Sequence, residues 1–197
     1  MTNVTFLAIC AFVNKLGLEA SSGYGVSQRL VGFVMLIPSA IMQSMASFVA
    51  QNVGAGKEER AKQAMKFGML IGVLIGVPVG LLAFFEGDLL SMAFTKDVAV
   101  VARSFEYLRG FAPEAVVTSI LFSFYGYFNG HSRSTFVMVQ GLIQSFLIRL
   151  PVSYFMSIRE NASLTGIGLA APSATVIGIL ICVGYYWYLW HGKDAER

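Results

Sequence analysis

Glu114 is a carboxylate placed where an apolar helix would run, between Pro113 and a stretch that stays mostly apolar to Phe128. An ionised group in hydrocarbon is costly and by default marks a functional position. Two chemistries are open to it. It can take up a proton, or it can hold a sodium ion together with nearby oxygens such as that of Thr118. A structural reading stands beside these: Glu114 near an interface, or paired with Arg149 or Arg109. Arg149 is a cation in a second apolar run, beside Pro151. It can neutralise a carboxylate, snorkel to the interface or contact a ligand. Tyr125, Gln43 and Gln144 are neutral polar side chains in apolar runs, and are expected to line a cavity.

On a helix, Glu114, Thr118, Tyr125 and Asn129 fall near one face, with Glu106 about two turns earlier on it. The elements that carry them are long and apolar. Hydrophobic residues make up 56% of the 197 and charged residues 13%, with a mean hydropathy of +0.67. A soluble domain is about 25% charged. The apolar residues lie in uncharged blocks of roughly the length that spans a bilayer. The net charge of +3 mostly flanks these blocks, so it is no footprint for nucleic acid. The chain is therefore read as all-α, a polytopic membrane helix bundle, with the lipid bilayer as its first partner.

The spans are expected at about 27–53, 64–85, 101–128, 135–158 and 164–190, after a partial one at 1–14. They form one lobe over 1–197. Turn-forming residues suggest a loop from Leu16 to Gly25. Gly54 and Gly56 can both take the positive φ that ends a helix. The charged run Lys57-Glu58-Glu59-Arg60 then places a hairpin tip in water. Ser39, Gln43, Ser47 and Gln51 recur every fourth residue, with Met35, Met42 and Met45 among them. That pattern suits either contacts to a neighbouring helix or a pliable cavity wall. Gly68, Gly72, Gly76 and Gly80 leave a line without side chains, where another helix can approach closely. Pro38, Pro78, Pro113, Pro151 and Pro172 fall one to each full span and are expected to kink it. Tyr185, Tyr186, Trp187, Tyr188 and Trp190 form an aromatic belt at the end of the last span. Cys10 and Cys182 read as buried thiols.

The hairpin carries a resemblance. An apolar helix closing in Ser47-Phe48-Val49-Ala50-Gln51-Asn52-Val53-Gly54-Ala55-Gly56, followed by Lys57-Glu58-Glu59-Arg60-Ala61-Lys62, resembles the multidrug and toxic compound extrusion (MATE) antiporters. Gly23-Tyr24-Gly25-Val26-Ser27-Gln28-Arg29, Ile37-Pro38-Ser39 and Gly126-Tyr127-Phe128-Asn129-Gly130 fit the same family. The likeness is to the carboxyl-terminal half, one six-helix lobe of a twelve-helix transporter. It implies export of amphipathic, often cationic, organic compounds against inward flow of protons or sodium. Glu114 and Thr118 would then couple to the cation, while Gln43, Tyr125, Gln144 and Arg149 would line the substrate cavity. The implied partners are small organic cations or drugs, and an amino-terminal lobe or a second copy of the chain. No cofactor beyond the coupling ion is implied.

Enzyme constellations are absent. His131 lies in a turn and His191 follows the aromatic belt, and no nucleophile elbow, phosphate loop or metal-ligand spacing occurs. The basic turn from Gly54 to Lys66 is expected on the cytoplasmic side of the cell membrane, plasma or inner, with the C-terminus on the same side. Two other readings keep the architecture. One is a flippase of lipid-linked saccharides, for which Arg149 would meet pyrophosphate. The other is a non-transporting membrane subunit.

Overall fold

The computed structural model describes residues 2–159 and 162–194. They form helices α1 (Thr2–Asn14), α2 (Leu18–Val34), α3 (Leu36–Gly54), α4 (Glu58–Phe85), α5 (Gly87–Met92), α6 (Val98–Phe111), α7 (Glu114–Gly130), α8 (Ser134–Leu142), α9 (Leu150–Ser157) and α10 (Leu164–Asp194). A π-helical segment, Ile143–Arg149, joins α8 to α9. Among the described residues, four stretches are long and apolar enough to cross a membrane: Leu18–Gly54, Glu58–Phe85, Ser134–Ser157 and Leu164–Trp190. Helices α6 and α7 follow end to end, and the interruption at Ala112-Pro113 leaves neither at that length alone. Of the expected turns, Glu160 and Asn161 lie outside the described residues, as does the tail from Ala195 to Arg197.

The loop expected at Leu16 to Gly25 is mostly helix. Only Lys15 to Gly17 turn, with Gly17 at φ +104°, and α2 starts at Leu18 rather than near Ser27. The small residues there serve packing instead. A Cβ on Gly23 would lie 2.6 Å from that of Arg103, so α2 and α6 touch backbone to backbone. Ser27, Ser104 and Ser91 close this contact, with hydroxyl pairs at 3.0 and 2.7 Å.

The hairpin after α3 uses one left-handed residue, not two. Gly54 ends the helix, and Gly56 alone has φ +70°. Lys57 N–H donates to Asn52 O at 2.8 Å and Gly56 N–H to Val53 O at 3.0 Å. This is the double closure that satisfies the last carbonyls of a helix.

The glycine line of α4 faces α7. Ideal Cβ atoms on Gly72, Gly76 and Gly80 would fall 2.6 Å from Ser119 Cβ, 2.4 Å from Ala115 O and 2.9 Å from Ala112 O. One on Gly68 would meet Met45 Cε of α3 at 2.2 Å. Across α7, Gly126 and Gly130 do the same for α3, against Met45 and Val49. Helix α7 is therefore the central post, held by α3, α4 and α10.

The prolines act unequally. Pro38, Pro113 and Pro151 sit at or just after the breaks between α2 and α3, α6 and α7, and the π-helical segment and α9. Pro78 and Pro172 lie inside unbroken helices. The aromatic belt is split as well. Tyr185 stacks on Phe136 at 3.7 Å and Tyr186 packs on Tyr127 and Phe124, while Trp187 and Tyr188 face outward.

Candidate functional site

The break at Ala112-Pro113 makes Glu114 the first residue of α7, so its side chain starts a helix in the middle of the bundle. The carboxylate is 7% exposed. Its Oε1 accepts from Thr175 Oγ1 of α10 at 2.8 Å. Its Oε2 is buried and has no hydrogen-bond partner of good geometry among the described residues. Thr118, one turn on and beside the carboxylate, holds a second buried oxygen in the same condition. Two buried oxygens of one helix face thus stand together, neither in a hydrogen bond of good geometry.

They open onto a cavity of about 370 Å³. Tyr125, Gln144 and Arg149 line it too, so these three and the Glu114–Thr118 pair surround one space. The remaining wall is mostly apolar or aromatic, and includes Tyr24, Met35, Phe111 and Phe122. Gln28 also lines it and donates to Tyr107 at 3.1 Å. The Arg149 guanidinium is set against Tyr107, Glu114 and Tyr24. No ion pair within 4.0 Å joins it to Glu114 among the described residues.

The π-helical segment explains how Gln144 and Arg149 reach the cavity together. They are five residues apart, the same spacing that the segment's own hydrogen bonds span, as the Leu150 N–H to Ser145 O bond shows. Such segments recur at functional sites. Gln144 also belongs to a directed chain that ends on Glu114. Tyr125 OH donates to Gln140 Oε1, Gln140 Nε2 to Gln144 Oε1 at 3.2 Å, and Gln144 Nε2 to Thr175 Oγ1 at 3.0 Å. Thr175 then donates to Glu114, so every donor runs towards the acid. Glu114 is therefore built to accept on one oxygen and is left open on the other.

Gln43 does not belong here. It is exposed on α3 together with Ser47 and Gln51. The repeat of four drifts round a 3.6-residue helix. Helix α3 turns Met45, Val49 and Asn52 inward, and only Met35, at its start, reaches the cavity. Glu106 also stays outside it, paired with Arg103 at 3.1 Å. Gln140, Thr175 and Gly178 were the residues not foreseen. A Cβ on Gly178 would lie 2.6 Å from Gln140 Nε2 and 2.8 Å from Gln144 Oε1, so its bareness makes room for the glutamine pair. A threonine in the turn after Pro172 of an apolar span was the available signal. Among the described residues no group of three or more metal-binding side chains occurs.

A family model described as MatE matches residues 1–155. The chain belongs to the MatE family. A probable multidrug resistance protein from Bacillus subtilis is 23% identical over 207 aligned residues, covering 100% of this chain and 42% of the relative. A FAD transporter from Shewanella oneidensis is 27% identical, covering 94% of this chain and 40% of its own length. A solved MOP superfamily transporter from Pyrococcus furiosus superposes with a TM-score of 0.85 at 16% identity, over 98% of this chain and 42% of that one. At that identity the likeness shows the fold alone. The chain spans less than half the length of the relatives it matches.

Proposed function

We propose that this chain is the carboxyl-terminal lobe of a secondary antiporter that exports amphipathic, often cationic, organic compounds, driven by inward protons or sodium. The observation that carries this reading is the buried carboxylate oxygen Glu114 Oε2, without a hydrogen bond of good geometry, beside the Thr118 hydroxyl at the wall of an aromatic cavity. A proton on the carboxylate, or a sodium ion held between the carboxylate and the Thr118 oxygen, would satisfy Oε2. Cation and cargo then compete for one space, and the cation shifts the helix arrangement by its differential affinity for the two states. Breaks at Pro113 and at the π-helical segment supply elements that can rearrange. The lobe would work with an amino-terminal lobe or a second copy, in the cell membrane, with the Gly54–Lys66 turn and the C-terminus cytoplasmic.

Arg149 favours a second reading. A cargo bearing phosphate or pyrophosphate would meet its guanidinium. The FAD named for the Shewanella relative and the lipid-linked saccharides of a flippase are both of this kind.

The test is flux in proteoliposomes containing the chain and its partner lobe, comparing the parent protein with Glu114→Gln. Loss of cation-driven efflux of a fluorescent organic cation supports the antiporter. Unchanged efflux removes Glu114 as the coupling group, and efflux only of phosphate-bearing cargo favours the second reading.

A further inference from the structure

A groove of about 210 Å³ opens on the outer face of the bundle between α4 and the α6–α7 break. Val77, Gly80, Phe84, Pro113 and Val116 line it, and all its walls are apolar. Val77 and Phe84 are exposed, so the groove is open on the outer surface of the described bundle. Its shape follows from the sequence. Gly80 has no side chain, and an ideal Cβ on it would lie only 2.9 Å from Ala112 O. Pro113 ends α6 there, so no longer side chain fills the gap.

The upper end of the groove holds a cation. The Arg109 guanidinium lies 5.5 Å from the centre of the Phe84 ring and 4.7 Å from that of Phe105. Arg109 is exposed and makes no ion pair within 4.0 Å among the described residues. The acid one turn before it, Glu106, is engaged by Arg103. Phe84 is followed at once by Phe85, Glu86, Gly87 and Asp88, where α4 ends. That places Arg109 at the level where the hydrocarbon gives way to water. From Phe84 to Val77 the groove descends about 10 Å into the bilayer.

We infer that this groove binds an anionic glycerophospholipid, with its phosphate on Arg109 and one acyl chain laid between Phe84 and Val77. A guanidinium stacked on aromatic rings is pre-set to receive a phosphate through paired N–H donors. The acyl chain covers the step that Gly80 and Pro113 leave. The site lies on the opposite side of α7 from the Glu114 cavity and does not depend on its function.

Native mass spectrometry tests it, on the full chain released from neutral detergent. The chain is first equilibrated with equal amounts of phosphatidylglycerol and phosphatidylcholine of the same acyl composition. Phosphatidylglycerol adducts are expected to exceed phosphatidylcholine adducts by about fivefold, the factor one interfacial basic residue supplies. Arg109→Gln should make the two lipids equal, whereas Arg29→Gln, another exposed arginine, should keep the preference. Val77→Trp should fill the deep end and reduce both adducts. Circular dichroism checks that each variant keeps its helix. A preference that survives Arg109→Gln overturns the inference. So does equal retention of both lipids by the parent chain, or undiminished retention by Val77→Trp.

Discussion

Thr175 on α10 donates its hydroxyl proton to Glu114 on α7 at 2.8 Å while accepting one from Gln144 at 3.0 Å. One hydroxyl thus fixes the acid to the last helix and ties it to the glutamine pair. Because both its bonds are committed, its orientation is set, and Glu114 Oε1 is held as an acceptor. The other oxygen, Oε2, has no hydrogen-bond partner of good geometry among the described residues.

Thr175→Val keeps the shape and removes this donor. A hydrogen bond to a charged group contributes ~1.5–3 kcal/mol. The variant is expected to lower cation-driven flux roughly tenfold or more at a fixed gradient, within the range that energy implies. Its helix content should be retained, with the melting temperature lowered by no more than that energy implies. Flux equal to that of the parent protein would show that the bond does not position the acid.

Gly178→Ala tests the same network without touching Glu114. The new methyl would enter the space of Gln140 Nε2 and Gln144 Oε1, and Gln140 is only 1% exposed, so it has little room to move. Overpacking of this kind costs ~1–3 kcal/mol. A lower melting temperature with impaired flux is expected. Gly184→Ala, on the same helix and with open space around it, should do neither.

The residues of α7 were legible because one helix carries them. Glu114, Thr118 and Tyr125 share a face by spacing alone, and a carboxylate in an apolar run stands out against its neighbours. Gln144 and Arg149 sit on another helix, and an α-helical period does not bring them together; the wider turn at Ile143–Arg149 does. Thr175 was hidden because a lone threonine in Ala-Pro-Ser-Ala-Thr looks like packing. Gln43 falls outside the Glu114 cavity because a repeat of four polar residues marks a stripe, and a stripe does not say which way its helix turns. The short loop at Lys15 to Gly17 was overread for a related reason. Glycine and serine signal turns in water, but in a membrane bundle they also let backbones meet, as Gly23 and Ser27 do.

The α4–α7 contact gives a third prediction. Gly76→Ala would set a methyl 2.4 Å from Ala115 O, a backbone atom that cannot swing aside. The two helices must part, and a loss of ~1–3 kcal/mol is expected. Gly32→Ala, where nothing lies within 4 Å, should instead gain up to ~1 kcal/mol from helix propensity. Thermal unfolding in detergent reads both. Equal melting temperatures for the two variants would mean that the glycine line is not a contact surface.

At the hairpin end of the same helix pair, Glu58 Oε1 accepts from Tyr127 OH and faces His131 Nε2, each at 2.9 Å. His131 Nδ1 faces Tyr127 O at 2.9 Å, so both ring nitrogens meet acceptors. Lys62, one turn on, lies 3.8 Å from the centre of the Trp190 ring. These contacts pin the start of α4 to the end of α7 and α10. Glu58→Ala would take this acceptor from the buried Tyr127 phenol, at a cost of ~1–3 kcal/mol. Amide hydrogen exchange across Gly54 to Arg60 is expected to quicken while the α6 core keeps its protection. Glu58→Gln, which retains a neutral acceptor for the phenol, should quicken it less. If both variants exchange like the parent protein, the hairpin is held by its own helix-ending turn at Gly56 and not by the side-chain clasp.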